Sequence, residues 1–331
     1  MVNDRTAHGE EFGYGGRIGT AFIDGFTFLS QPIQYVVLDG RAIFEGDIDL
    51  GPVERVEASF EMLRAELTGR PSTRAIVVTP GSQFGWPNCT IPYQIDADLP
   101  DQDRVADAIA HWQVKTDFTF VPRTGANSNN FPDYVDFVPG SDCSASVGRQ
   151  GGRQTVTLDD GCTAGQCKHE IGHAAGLWHE QSRSDRDAFV TIIWENILPG
   201  KETNFTQHVT DGDDVGGYDY GSIMHYGRNF FSKNGQDTIV PTDPNAQIGQ
   251  REELSVGDIL AVNRVLCPTV PFVRELKLPT AADMIREVGL VPKINASVSD
   301  QAWVWRQSPL GGHNVDRGST VQLQTRTGPV P

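Results

Sequence analysis

Apolar residues recur along this chain at two spacings, and these outline most of its elements. In the segment 18–44 the β-prone runs FTFL, IQYVVLD and AIF alternate with Gly and Asp turns and predict a few strands. Val53, Val56, Phe60, Leu63 and Leu67 then repeat at three and four residues, an amphipathic helix that Gly69 and Pro71 would end. An apolar strand is predicted over 91–95, and Val105, Ala108, Ile109 and Trp112 again share one helix face. Strand-like runs follow near 118–121, 134–138 and 154–158, and a second helix begins near Thr163. That order predicts an α+β unit, a twisted sheet backed by two helices. A turn-rich stretch leads to a last helix over 255–266, with Ile259, Val262 and Leu266 on its apolar stripe. Ser255 is its N-cap and Asp258 completes a capping-box-like start.

Length and composition add a tail module and remove some partners. At 331 residues the chain has room for two or three domains. Pro268 and Pro271 suit a short linker, so 268–331 reads as a separate unit. It has a helix start at Thr280–Asp283, apolar Met284, Ile285 and Val288, Gly289 as a C-cap, and strand-like runs over 302–306 and 320–325. Acidic residues outnumber basic ones 43 to 27, a net charge of −16, which argues against a nucleic-acid or anionic-membrane partner. Acidic balance alone says no more than that, since many soluble proteins share it. No run of 18 apolar residues predicts a transmembrane helix, and the opening MVNDRTAHGEEF lacks the apolar core of a signal peptide.

The chemistry concentrates in residues 169–180, HEIGHAAGLWHE. His169 and His173 lie four apart, so a helix stacks them on one face, where both imidazoles can reach one ion. Zn²⁺ is the ion that accepts this donor set at about 2.0–2.1 Å. Glu170 sits beside the first histidine, placed to act on a water at the ion without being a ligand. Gly176 can take a positive φ and end the helix, and the turn would bring His179 back as a third ligand. Three protein ligands leave a position open, the arrangement of a catalytic rather than a structural site. A bare H-E-x-x-H also arises in buried helices. The extended H-E-x-x-H-x-x-G-x-x-H with a later methionine turn, Ser222-Ile223-Met224-His225-Tyr226, is much more specific.

That signature is metzincin-like, and HEIGHAAGLWHEQSRSDRD followed by SIMHY resembles the astacin family of zinc metalloproteases. WPNCTIPY (86–93), FVPR (120–123), VGRQGGRQTVTL (147–158) and IGQR (248–251) extend the likeness from about Ala75 to Cys267. The resemblance implies a zincin-like, two-lobed catalytic domain over 75–267 holding one Zn²⁺ and hydrolysing protein or peptide substrates. Glu170 would be the general base. Tyr226 would be a further zinc ligand that swings away to hold the oxyanion, and Met224 would pack beneath the ion. Arg251 would sit in the S1′ pocket and favour acidic residues there, with an ordinary surface arginine as the bland alternative. Substrate would add to the edge of the sheet near 143–148.

The same likeness makes residues 1–74 a propeptide. Phe44-Glu45-Gly46-Asp47 resembles the family's F-x-G-D motif, whose aspartate ligates the zinc, so Asp47 is the expected latency switch. An activating protease of trypsin-like specificity would cut after Arg74, and the freed N-terminus would bury itself near Glu180. Of the five cysteines, Cys143 and Cys162 match a family disulfide. The family's second bridge cannot form, because Asp117 stands where its first cysteine would be. Cys89 is then a candidate partner for Cys267, though sequence does not decide the pairing. Cys167 reads as a small buried hydrophobe. Export is expected from the family.

The order of the tail, VPFV, TAADMIREVGL, QSPLGG and DRGSTVQLQT, resembles a PASTA domain, a small β-plus-one-helix unit. Some of these contact peptidoglycan. Trp303 and Trp305 are expected first in its core and, failing that, on a binding face. Two other functions therefore compete with the latent endopeptidase: a cell-wall-binding protein with a structural protease-like domain, and a peptidoglycan-peptide hydrolase. Intact Glu170 and Tyr226 argue against the first.

Overall fold

The computed structural model describes residues 17–23, 31–53, 56–57, 85–207, 214, 217–294, 301–315 and 318–328. The N-terminal strands β1 (Ile18–Ile23), β2 (Gln31–Leu38), β3 (Arg41–Phe44) and β4 (Ile48–Pro52) form an antiparallel meander. β2 and β3 are the predicted IQYVVLD and AIF runs. The FTFL run, helix positions Phe60, Leu63 and Leu67, and the Arg70–Arg74 stretch lie outside the described residues. Val53 and Val56 are buried with Tyr35, Phe44 and Ile48 in a small core of their own, which Trp178 of the next domain joins.

The second domain supplies β5 (Thr90–Ile95), β6 (Thr119–Pro122), β7 (Tyr134–Pro139), β8 (Cys143–Ala145) and β9 (Arg153–Leu158). All nine strands make one mixed sheet in the order β1-β2-β3-β4-β8-β9-β7-β5-β6. Within the second domain β8 would be an edge. Here β4 lies along it in parallel, with Ile48 opposite Ala145. The Ala145 N–H donates to the Asp47 carbonyl at 2.8 Å and Ser146 Oγ to the Asp49 carbonyl at 2.5 Å. The first segment therefore satisfies an edge that would otherwise stay open.

Helix α1 (Asp103–Lys115) buries Val105, Ala108, Ile109 and Trp112, as its spacing predicts. It also buries Arg104, a charge the spacing does not mark; its guanidinium donates to the Asp159 carbonyl at 2.7 Å. Helix α2 (Ala164–Ala175) starts at a capping box of Thr163 with Gln166 and ends at Gly176, φ +123°. The two helices are tied by Trp112 Nε1 donating to the Lys168 carbonyl at 3.0 Å. Sheet and helices enclose a core containing Trp86, Trp112, Phe137, Leu158 and Ile171. This is the expected α+β zincin-like architecture. Below α2, the short ribbon β10 (Val190–Ile192) and β11 (Ile239–Pro241) and several helical turns surround a second core of Phe205, Tyr226, Phe230 and Phe231.

The last helix begins at the predicted cap: Ser255 Oγ accepts from Asp258 N at 2.9 Å, and Asp258 Oδ2 accepts from Ser255 N at 2.9 Å. α3 (Val256–Ala261) then widens into a π-turn at Val262–Leu266, where one continuous helix was expected. The wider turn lets Cys267 N–H reach the Val262 carbonyl at 2.8 Å and seats Cys267 for a disulfide with Cys89. Cys143 pairs with Cys162, and Cys167 is buried and free. Burial in apolar surroundings pushes the Cys167 thiol far above its usual range, so it behaves as a hydrophobe.

Residues 268–294, 301–315 and 318–328 fold into α4 (Leu278–Glu287) packed on a three-stranded sheet. Its strands are β12 (Val291–Ile294), β13 (Trp303–Ser308) and β14 (Thr320–Arg326), in the order β12-β14-β13. α4 begins at Leu278 rather than Thr280, because Pro279 is tolerated in a first turn. The short β12, absent from the sequence reading, is recruited by pairing parallel to β14. Val304 fills the core, while Trp305 is 42% exposed and Trp303 only partly buried, so neither is the core residue expected. Nor is 268–271 a free linker. Val270 N–H donates to the His313 carbonyl at 2.8 Å and Val315 N–H to the Pro268 carbonyl at 3.1 Å. Asp117 fastens the unit to α1: Thr269 Oγ1 donates to its carboxylate at 3.0 Å and Asn314 Nδ2 to its carbonyl at 3.2 Å.

The Cys89–Cys267 bridge spans a sequence separation of 178 residues, so it constrains most of the second domain in the unfolded state. Replacing both cysteines by serine is expected to lower the unfolding free energy by about 2–5 kcal/mol. Urea denaturation followed by circular dichroism checks this.

Candidate metal centre and active site

α2 places His169 and His173 on one face, and the turn at Gly176 returns His179 to the same point. The three imidazole rings lie 4.7–5.3 Å apart, centroid to centroid. Each outer nitrogen has an acceptor at 2.8 Å: His169 Nδ1 the Ile223 carbonyl, His173 Nδ1 the Leu177 carbonyl, His179 Nδ1 the Glu45 carboxylate. With the proton held at Nδ1, each ring can offer its Nε2 to the centre, His179 once it gives up the second proton that the two carboxylates favour. Asp47 completes the group. Its Oδ2 is 3.1 Å from His169 Nε2 and His179 Nε2, and its Oδ1 is 3.5 Å from His173 Nε2. The four ligand atoms all lie within 4.8 Å of one another, and all four side chains are buried.

The residues present fit a zinc ion. His173 Nε2 and Asp47 Oδ1 are buried polar atoms with no hydrogen bond, facing one another across the centre. Such atoms are costly unless a cation takes them. Three nitrogens and one carboxylate oxygen are a common zinc donor set. The same groups shift one another's protonation. Burial pushes Asp47 up, but His179 and His173 outweigh it and hold the carboxyl well below the usual range. Burial pulls His179 down, yet the Asp47 and Glu45 carboxylates lift it to about 9. Burial, with the nearby Arg251 charge, holds His169 well below its ordinary value.

Asp47 arrives just ahead of β4 because Glu45 and Gly46 both take left-handed backbone, φ +48° and +90°. Glycine does so freely, whereas glutamate there costs about 1–2 kcal/mol. That tight turn directs both the Glu45 and the Asp47 side chains into the centre. Glu45 Oε2 accepts from His179, its Oε1 accepts from Ser182 Oγ at 2.8 Å, and its carbonyl accepts from the Tyr226 hydroxyl. Glu45 was missed in the sequence, where it occupies the variable position of F-x-G-D. Only a carboxylate standing close to an expected ligand could have drawn attention to it.

Glu170 is 2% exposed, on α2 directly after His169. Tyr226 is fully buried, its ring 4.5 Å from that of His179. Burial and the Asp47 and Glu45 charges push its phenol well above the ordinary value, so it is a hydroxyl donor. Met224 lies under α2, where a Cβ on Gly172 would come within 2.6 Å of its sulfur. Glu180 is largely buried, accepting from Asp219 N at 2.7 Å, and burial lifts it to about 8. Arg251 is half-buried against the methionine turn; it donates to the His225 carbonyl at 2.9 Å, and its guanidinium stands 5.8 Å from the Phe230 ring. Cys143 and Cys162 staple β8 to the loop that starts α2.

His225 was also passed over. Its Nδ1 must donate to the Tyr226 carbonyl, 2.7 Å away, so its Nε2 accepts from the Tyr218 hydroxyl, also at 2.7 Å. Burial lowers it to about 4, which keeps the ring neutral. At the other rim of the site, burial lifts Asp142 to about 6. Its Ser144 hydrogen bond opposes this, and the Asp49, Asp39 and Asp47 charges add to it.

Part of this chain is similar to known proteins. Residues 79–267 match the model of the astacin peptidase family. The chain is 42% identical over 190 residues to "Zinc metalloproteinase nas-13" of Caenorhabditis elegans, covering 56% of this chain and 41% of that protein. It is 38% identical over 233 residues to "Blastula protease 10" of Paracentrotus lividus, covering 67% and 38%. A solved structure of high choriolytic enzyme 1, a hatching enzyme zinc-protease from the medaka Oryzias latipes, shares 39% identity. It covers 53% of this chain and 87% of its own, at a TM-score of 0.48. The fold and the ligand set define a zincin-like domain with a zinc centre. The chain belongs to the astacin family. It spans about two fifths of the length of the curated relatives it matches.

The purified protein is expected to carry one zinc per chain by elemental analysis, and His173→Ala is expected to lose it. Asp142 has a raised value in the folded state, so its contribution is full below about pH 4 and lost as pH rises through 6. Asp142→Asn is expected to flatten that loss, seen as a smaller fall in urea midpoint between pH 5 and 7.

Proposed function

We propose that this chain is a zinc-dependent endopeptidase, made as a latent zymogen and exported. The observation that carries the reading is the set of three imidazoles, their outer nitrogens bonded and their inner nitrogens converging beside a buried Glu170. Zinc held there supplies a Lewis acid towards water and a peptide carbonyl. Glu170 takes the proton of the attacking water and delivers it to the leaving amine. The Tyr226 hydroxyl, once released from the Glu45 carbonyl, donates to the oxygen on which charge develops. A preorganised donor of this kind is worth about 3–4 kcal/mol.

Latency has two carboxylate anchors in this reading. Asp47 takes the ligand position a water would need, and Glu45 occupies His179, Ser182 and the tyrosine together. β4 meanwhile covers the strand edge that an extended substrate would use. An activating protease cutting after Arg74 would loosen all of these contacts. The freed N-terminus would then settle near Glu180, a largely buried carboxyl lifted to about 8, and an ammonium group beside it would restore its charged form. Arg251 is the candidate for acidic preference at P1′, with its guanidinium at the methionine turn. The two disulfides support an oxidising, extracellular setting. We read 268–331 as a PASTA-like module on its one helix and three strands. Peptidoglycan contact, and with it a wall-binding or peptidoglycan-peptide hydrolase role, would rest on that module alone.

Zinc content and casein hydrolysis, measured before and after limited trypsin beside Glu170→Ala, test the whole. Activity is expected to rise at least tenfold on cutting and to vanish in the Glu170 variant; no rise would remove the zymogen. Uncut Glu45→Ala and Asp47→Ala are each expected to show activity that the uncut parent lacks. Arg251→Ala is expected to lose selectivity for Asp or Glu at P1′ across a peptide series, and an unchanged preference would dismiss that role.

A further inference from the structure

The hydrogen bonds of Tyr226 divide between its main chain and its phenol, while its ring packs on His179 and Phe230, centroids 4.5 and 4.8 Å away. Its N–H donates to Gln181 Oε1 at 3.0 Å, and its carbonyl accepts from His225 Nδ1 at 2.7 Å. The preceding carbonyl, that of His225, accepts from Arg251 Nη1 at 2.9 Å. The following peptide is roofed by Gly249, φ +83°, where a Cβ would lie 2.4 Å from Gly227 Cα and 3.3 Å from the Tyr226 carbonyl carbon. The two peptide groups that flank the Tyr226 Cα are thus both held by the enzyme domain itself. The phenol, by contrast, is hydrogen-bonded to the Glu45 carbonyl, in the segment read as the propeptide.

Tyr218 backs this clamp. Its hydroxyl donates to His225 Nε2 at 2.7 Å, which fixes the imidazole with its proton on Nδ1, the nitrogen facing the Tyr226 carbonyl. The Tyr218 ring is stacked on Phe189, centroids 4.8 Å apart and planes 10° apart, so the hydroxyl is held rigidly. We propose that Tyr218 and His225 are positioning residues that lock the main chain of Tyr226, so that only its side chain moves between the latent pose and the pose that meets the tetrahedral oxygen. This rests on the reading of Tyr226 as the oxyanion donor. A donor displaced by even about 1 Å loses much of its effect on the transition state, so a fixed pivot matters to rate more than to substrate binding.

The test uses zinc-loaded protein after limited trypsin and the isosteric change Tyr218→Phe, which removes one hydroxyl. The expected result is kcat lowered about three- to tenfold with KM unchanged. A phosphinic peptide, which mimics the tetrahedral species, should bind weaker by the same factor. A hydroxamate on the same peptide, which takes the metal without that geometry, should bind as before and reports that the site is intact. In a Tyr226→Phe background, Tyr218→Phe should add nothing. If Tyr226→Phe alone leaves kcat and phosphinate affinity untouched, the oxyanion reading falls and this inference with it. If Tyr226→Phe is damaging but Tyr218→Phe is silent, adds its full effect in the double variant, or weakens both inhibitors equally, the positioning role alone is overturned.

Discussion

Three imidazoles and two carboxylates share one dry centre, and four of these five side chains are placed to hold a single cation. His169, His173 and His179 each have the outer nitrogen satisfied by a fixed acceptor, which turns the three inner nitrogens to one point. Asp47 and Glu45 add negative charge where no water can spread it. The rest of the second domain holds this geometry. The capping box at Thr163 starts α2, Gly176 ends it one turn after His173, and the methionine turn supplies both the Ile223 acceptor and the floor beneath Gly172.

The N-terminal segment completes the centre by continuing the sheet. β4 adds to β8 in parallel, and the two left-handed residues at 45 and 46 bend the chain so that Asp47 faces the three inner nitrogens while Glu45 takes the outer nitrogen of His179. Strand pairing, metal ligation and the hydrogen bond to Tyr226 all depend on that one turn. Strain at Glu45 is offset by the contacts of its own carboxylate and carbonyl, so the segment is held by several modest interactions rather than one strong one.

Much of this was legible in the chain. Spacing of three and four marked α1, apolar β-prone runs marked the strands, and H-E-x-x-H-x-x-G-x-x-H marked α2 and the ligands, because those features are local and their geometry follows from backbone periodicity. Asp47 could be singled out only through family likeness, since a Gly-Asp pair is otherwise a turn. Glu45, His225 and Tyr218 were passed over, because each acts through partners between 7 and 181 residues distant in sequence or through a neighbour's carbonyl. Trp303 and Trp305 were expected inside on hydrophobicity, but β13 turns Val304 inward instead.

Spacing and side-chain chemistry were enough to specify the α+β class, the three histidines, the base beside them and the caps at Gly176 and Ser255, because each is set within a few residues. Long-range packing set the rest: that Cys89 meets Cys267, that Asp117 anchors the C-terminal unit, that β4 lies on β8, and that Tyr226 is clamped along its backbone. Those outcomes depend on which distant surfaces come into contact, and periodicity carries no record of that.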